Sequence, residues 1–438
     1  MRRTSAAVGN TTAVPPAPAG SPSTATDGVA PGTATDGVAP GTATDGVAPG
    51  TATGGVTPAP VALPDAPVTA VRCRVLRARP AEDIAMSFAP LTHRVMLLVE
   101  VELADGAVGV GETWANYPSW AWRERVATIR EGVAPLLVGR RFADPAEAHR
   151  TLLRRLRPLG RQWGAPGPIH QAVSGVDLAL WDLAARHAGV GLTRLLADHP
   201  DVRTELPVYG SSLGPTGVAE TAQRCAALGL TAVKVKVGFG TETDLANVRT
   251  ARRVLGDDAQ IFADANQAWS LDEALAATPA LVDLGVAWLE EPLAGDHPAE
   301  LAELARRTGM PLATGENLYG AAAFAPYLRG DGVRIVQPDL SKVGGITEFL
   351  AVRAAAAATG HTVNPHLYNG AVATAATVCA AAATRATRLV EWDIRSNPLR
   401  AAADALLTDH GTVRVPDRPG FGVDLDPDQL DRYEEQIP

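Results

Sequence analysis

Seven short apolar runs recur through the second half of the chain, and each ends on an ionisable residue. They are Lys236 in VKVKVG, Asp264 in IFADAN, Glu290 in AWLEEP, Glu316 in PLATGEN, Asp339 in RIVQPDL, His366 in HTVNPH and Glu391 in RLVEWD. Successive run ends are 28, 26, 26, 23, 27 and 25 residues apart. That is the length of one strand plus one crossover helix, and alanine-rich stretches fill the spaces between them. With ELPVYGSS at 205–212 as an earlier strand, the pattern predicts eight strands and seven intervening helices. Such an alternation closes into a parallel barrel, whose functional residues gather at the C-terminal ends of the strands. Every one of the seven run ends lies there.

The 438-residue chain leaves room for a second domain ahead of the barrel. VTAVRCRVLRAR and HRVMLLVEVELADGAVGVGETW read as strands, the second broken by an Ala-Asp-Gly turn. Helical stretches follow, and in IHQAVSGVDLALWDLAARHAG the residues Val173, Val176, Leu180 and Leu183 define one buried face. An α+β domain over 67–198 is expected, then the barrel over 199–397 and a C-terminal segment, 398–438, packing back on the first domain. Residues 1–66 differ in kind. TATDGVAPG occurs three times in tandem from Thr24, with a degraded copy at Thr51. A Gly/Pro/Thr/Ala repeat has too little apolar surface to offset its ordering entropy, so a disordered tail is expected. MRR is followed by no apolar stretch of signal-peptide type.

The net charge of −9, with no evident basic patch, argues against a nucleic-acid partner. No run approaches the apolar length of a membrane span. Cys73, Cys225 and Cys379 are few, odd in number and far apart, which argues against a disulfide framework or a cysteine metal site and fits a reducing cytoplasm.

The strongest chemical signal is lysine usage. Of 39 lysines and arginines only Lys234, Lys236 and Lys342 are lysines, and two of them share one strand face. Arginine cannot serve as a base because it does not deprotonate. Lys236 as general base, with Lys234 as its electrostatic tuner and substrate-carboxylate partner, explains the choice. A neighbouring ammonium and a cation would lower the Lys236 pKa. Asp264, Glu290 and Glu316 end three successive strands, and three converging carboxylates repel unless a cation holds them. Hard oxygen ligands select Mg²⁺, with Mn²⁺ as the alternative. Beyond them, Asp339 could accept the second ring N–H of His366 and fix its tautomer. Glu391, kept protonated, could donate to an oxygen of a developing intermediate.

Lys-x-Lys, then Asp, Glu and Glu, then a His/Asp dyad and a final Glu together resemble the mandelate racemase branch of the enolase superfamily. The resemblance runs from about residue 67 to the C-terminus. It implies a (β/α)7β modified TIM barrel with an N-terminal α+β capping domain and one Mg²⁺. It also implies removal of the proton α to a carboxylate, giving an enediolate. It adds Asn266 of DAN as a substrate contact, selects Glu290 rather than Glu291 in LEEP, and makes Lys342 a positional lysine outside the proton-transfer pair. Asp339 stands where the muconate-lactonizing and dipeptide-epimerase branches carry a lysine, which disfavours those activities. The expected partner is a small carboxylate substrate, and the expected assembly a homo-oligomer. Dehydration of an acid sugar or other hydroxy acid to a 2-keto product is the first reading. Racemisation or epimerisation is the second, and a catalytically idle metal-binding barrel is the alternative of another class. Met86, Phe88, Trp114 and Tyr117 of the capping domain are expected to form a partly apolar lid.

Overall fold

The computed structural model describes residues 61–85, 89–200, 202–293 and 297–437, all within one compact unit. The repeated tail up to residue 60 and the lid residues Met86 and Phe88 lie outside the described residues. Residues 61–66, read from the sequence as the end of the tail, are packed instead. Leu63 and Ala66 are buried, and the Leu63 N–H donates to the Ala143 carbonyl at 3.0 Å. Two apolar side chains next to the first strand suffice to fix this short segment.

The first sheet is antiparallel: β1 (Val68–Ala78), β2 (Arg94–Leu103) and β3 (Val108–Thr113), with Val75 opposite Leu97 and Leu97 opposite Thr113. Two helices cover it, α1 (Pro145–Trp163) and α2 (Pro166–His187). Asp144 caps α1 by accepting from the Glu147 N–H at 2.7 Å, with Pro145 at the first helical position. Helix α2 is apolar nearly all round and is buried from Ile169 to Ala185, as a helix between two layers must be. It lies so close to β3 that a side chain at Gly111 would run into the Gly175 carbonyl.

The second sheet is parallel. Strands β4 (Glu205–Leu213), β5 (Ala232–Lys236), β6 (Gln260–Asp264), β7 (Val286–Glu290), β8 (Leu312–Thr314), β9 (Val333–Val336), β10 (Thr362–Val363) and β11 (Val390–Asp393) alternate with seven helices. These are α3 (Val218–Ala227), α4 (Thr241–Leu255), α5 (Leu271–Asp283), α6 (Pro298–Thr308), α7 (Ala325–Arg329), α8 (Gly345–Thr359) and α9 (Ala371–Ala382). The hydrogen-bonded order runs from β10 back through β9 to β4 and on to β11. At the seam between β10 and β11 a side chain replaces the ladder: Asn364 Oδ1 accepts from the N–H groups of Arg388 and Leu389, both at 3.3 Å. The result is a modified (β/α)-barrel with an N-terminal capping domain. The C-terminal segment touches both parts. Strand β12 (Thr412–Arg414) pairs antiparallel with β4, and β13 (Glu434–Glu435) pairs with β1. No described helix is long and apolar enough to cross a membrane.

Inward residues alternate along each strand, so the interior is layered. Tyr209, Ala232, Phe262, Trp288, Ala313 and Ile335 form one apolar layer. In it the Phe262 and Trp288 rings stack within 4° of parallel, and Tyr209 stands edge-on to both. Two residues further along the same strands come Ser211, Lys234, Asp264, Glu290 and Gln337.

Buried acids of the capping domain clasp the barrel. Glu112, in β3, accepts from the Gly370 N–H at 2.6 Å and the Ala373 N–H at 2.8 Å, at the start of α9. Asp177, in α2, accepts from the Thr347 N–H at 3.0 Å and hydroxyl at 2.5 Å, in the first turn of α8. Arg94 and Asp393 form a fully buried pair at 2.5 Å. Burial pushes the Glu112 carboxyl from 4.5 up to about 7, against the pull of its backbone donors. A carboxyl raised in this way contributes its full stability below the unfolded pKa of 4.5 and loses it as pH climbs to about 7. Glu112→Gln should therefore flatten the fall in melting temperature between pH 5 and pH 8; parallel pH profiles for variant and parent would contradict the assignment.

Candidate active site

The ends of β4–β11 face the capping domain across a cavity of about 230 Å³. Lys234, Lys236, Asn266, Glu316, His366 and Glu391 line it from the barrel, and Trp114, Tyr117 and Gln171 from the cap. Asp264, Glu290 and Asp339 lie just behind this lining, at most 1% exposed. All nine site residues predicted from the sequence thus gather at one mouth. All three lysines of the chain line this one cavity.

The backbone is contorted where these side chains are presented. Asn266, Gln267 and Glu291 have positive φ values of 44°, 65° and 38°, a region that L residues occupy only when the surroundings hold them there. Gln267 does part of this by donating from Nε2 to Glu291 at 2.9 Å. Gly315, at φ +136°, turns the chain into Glu316. A side chain there would meet Phe324 at 2.8 Å and the Gln337 backbone nitrogen at 2.9 Å.

Two polar clusters result. In the first, Lys234 Nζ lies 2.6 Å from Glu290, 2.9 Å from Glu391 and 3.6 Å from Asp264. Lys236 Nζ reaches Asp264 Oδ2 and Asn266 Oδ1, both at 2.6 Å. In the second, His366 Nδ1 is 2.8 Å from Asp339 and Nε2 is 3.0 Å from Glu316, while Trp114 packs edge-on to the ring. Asp339 is held by the Ser341 N–H at 2.7 Å and hydroxyl at 2.6 Å. The His–Asp pairing expected from the sequence is present, and a second carboxylate on the other ring nitrogen is added to it.

Two sequence expectations can be set beside this geometry. Among the protein's own charges the Lys236 pKa is raised, not lowered. Burial disfavours its ammonium and Lys234 repels it, but Asp264, with a smaller contribution from Glu316, outweighs both. Glu391, expected to donate, has both oxygens placed as acceptors, Oε1 toward Lys234 and Oε2 toward the Leu367 N–H at 3.3 Å.

Sequence reasoning missed several residues. Gln337 donates to Glu290 Oε2 at 2.6 Å from the polar layer of β9. Asn317 donates to Glu291 at 3.1 Å, and Tyr319 lines the cavity. Lys342, read as positional, lines the cavity as well, with its ammonium 4.0 Å from the Trp114 ring centroid and 3.5 Å from Glu316. Gln337 lies two residues before Asp339, and strand alternation could have found it. Asn317 and Tyr319 lie in a loop without a periodic signal.

Carboxylates crowd this mouth. Burial first, then Asp264, Glu391 and Glu316, push Glu290 up to about 7 despite Lys234. Burial and Glu316 push Glu291 up to about 8. Among the described residues no three acid, imidazole or thiol groups converge closely enough to enclose an ion as they stand, because lysine ammoniums lie between the carboxylates. The donor chemistry nevertheless fits a hard divalent cation: oxygen ligands only, more carboxylates than ammoniums, and mutual repulsion left partly uncompensated.

Comparison with known proteins agrees with this geometry. Residues 68–197 match the mandelate racemase/muconate lactonizing enzyme N-terminal domain, and 217–429 match the enolase C-terminal domain-like family. D-galactarolactone cycloisomerase of Agrobacterium fabrum is 30% identical over 84% of this chain and 98% of its own length. Arabinonate dehydratase of Saccharolobus solfataricus is 29% identical over 80% of this chain and 94% of its own. A mandelate racemase/muconate lactonizing enzyme structure from Bordetella bronchiseptica superposes with a TM-score of 0.77 at 38% identity, covering 84% of this chain and 99% of that one. A racemase from Streptomyces coelicolor, solved with bound magnesium, gives 0.75 at 28% identity over 84% and 100%. The chain belongs to the mandelate racemase and muconate lactonizing branch of the enolase superfamily, and is an enzyme of its lyase or isomerase kind.

His366 carries a prediction of its own. Burial disfavours its cation, yet Glu316 and Asp339 hold its pKa up to about 10. Stability from this group is present below the ordinary value of 6.5 and lost as pH rises through about 10. In protein prepared without divalent metal, NMR should show the His366 imidazolium persisting at pH 8, and Asp339→Asn should move its midpoint down. A midpoint near 6.5 in the parent would contradict the ion-pair geometry.

Proposed function

We propose that this enzyme is a Mg²⁺-dependent dehydratase of an acid sugar or related hydroxy acid. The carrying observation is that Lys236 and His366 line one cavity from β5 and the end of β10, strands three apart in one direction round the barrel and five in the other. One group can meet the substrate on the α-proton side and the other on the leaving-group side.

Asp264, Glu290 and Glu316 would hold the cation, which supplies the positive charge that acidifies the α-proton of a bound carboxylate. Lys236 takes that proton. To do so its ammonium must first be neutral, and its pairing with Asp264 opposes this until the carboxylate is engaged elsewhere. Lys234 orients the substrate carboxylate from within the first cluster, and Asn266 positions the Lys236 amine. His366, oriented and kept protonated by its pairing with Asp339, delivers its proton to the departing β-hydroxyl as water leaves. Glu391 fixes Lys234 and the loop after His366. Trp114 and Tyr117 close the cavity from the cap. Of the two relatives named above, one is named a dehydratase and the other a cycloisomerase.

Mg²⁺ should raise the melting temperature of the parent by mass action. Glu290→Gln should remove most of that gain, whereas Glu291→Gln, replacing a carboxyl held up at about 8, should keep it. An equal loss in both variants would contradict the ligand assignment. Screening acid sugars and α-hydroxy acids with Mg²⁺ should yield a 2-keto acid that semicarbazide traps. Inversion at the α-carbon with no keto product would instead establish the racemase or epimerase, which the same two opposed groups also allow.

A further inference from the structure

One feature of the capping domain runs against the net charge of −9. Helix α1 carries five arginines, Arg150, Arg154, Arg155, Arg157 and Arg161, against a single acid, Glu147. Four of them fall at i, i+4, i+7 and i+11, which is one helical face, and all four are exposed. Like charges at these spacings destabilise a helix. Among the described residues none of the four makes an ion pair or a side-chain hydrogen bond. The expected absence of a basic patch is corrected here: residues 150–161 hold five arginines and no acid, and the helix gathers four of them on one face.

A solvated arginine face would need nothing more, but this one borders a cleft of about 340 Å³ with a buried histidine in its wall. His149 is 4% exposed, and its Nε2 makes no well-formed hydrogen bond, the Gly344 backbone acting on the ring only at longer range. The nearest carboxylate oxygen, Glu348 Oε1 in the first turn of α8, is 3.8 Å away. The other Glu348 oxygen accepts from the Ala321 N–H at 2.7 Å. A buried ring nitrogen left unmatched is costly unless something fills the cleft.

We propose that this cleft binds a phosphate-class oxyanion with two or more linked phosphates. The stripe extends about 16 Å along the helix axis, longer than a single tetrahedral oxyanion. Guanidinium forks match phosphate oxygens two at a time. His149 adds a donor at the inner wall, and Glu348 is the single acid among the lining residues, against four arginines. The site is separate from the catalytic cavity: the two share no lining residue.

The test is calorimetric titration of the full chain with inorganic diphosphate, in metal-free buffer of low ionic strength. One saturable site per chain is expected. Arg154→Gln/Arg157→Gln, both on the exposed face and so harmless to folding, should weaken it by at least about tenfold. His149→Leu should weaken it further, and Lys236→Met should leave it in place. ADP in place of diphosphate distinguishes a nucleotide from a free polyphosphate: tighter binding marks a nucleotide site, equal binding a site that reads phosphates alone. Three results would overturn the proposal. They are no saturable binding, binding lost in Lys236→Met but kept in the arginine variant, and an arginine variant that changes only the oligomeric mass.

Discussion

A charged layer stacked directly on an aromatic one is the constraint on which the rest of this structure depends. Phe262 and Trp288 fill the barrel beneath, and the next inward positions on the same strands are Asp264 and Glu290. With Lys234 wedged between them at 1% exposure, these charges sit almost wholly out of bulk solvent. Buried charges persist only when each is matched, so every neighbour is committed: Glu391 and Gln337 to the first cluster, Asn266 to Lys236. The aromatic floor keeps the dielectric low, which makes each pairing stronger and each mismatch more costly.

The capping domain belongs to the same arrangement. Glu112 and Asp177 accept from the first turns of α9 and α8, the helices that follow His366 and Asp339. Trp114, one residue beyond β3, donates its N–H to the Ser341 carbonyl while its ring touches both His366 and Lys342. Asn116 links the Val95 N–H to the Tyr368 carbonyl in the loop after His366. The cap therefore fixes the half of the site opposite Lys234 and Lys236, and the proposed chemistry needs both halves.

Much of this was legible in the sequence, for a physical reason. A barrel strand must be apolar until it ends, and the residue that ends it must face the mouth. The interval between run ends therefore locates the site. Lysine stood out because the chain otherwise uses arginine. What escaped was whatever lacks a period. Asn317 and Tyr319 sit in an irregular loop, and the raised Lys236 pKa depends on a 2.6 Å contact that no spacing encodes. The tail boundary was set a few residues too far because Leu63 and Ala66 pack singly, without a pattern. The arginines of α1 stand in the sequence as five within twelve residues, but only the helix sets four of them on one face.

In the proposed mechanism Lys236 alone removes the α-proton while His366 acts on the leaving group. This division of roles is tested most directly by following solvent deuterium into the α-carbon of a turned-over hydroxy acid in the parent, Lys236→Met and His366→Asn. His366→Asn should form no keto acid yet still exchange the α-proton, and Lys236→Met should do neither. Exchange that survives in Lys236→Met and vanishes in His366→Asn would reverse the two roles.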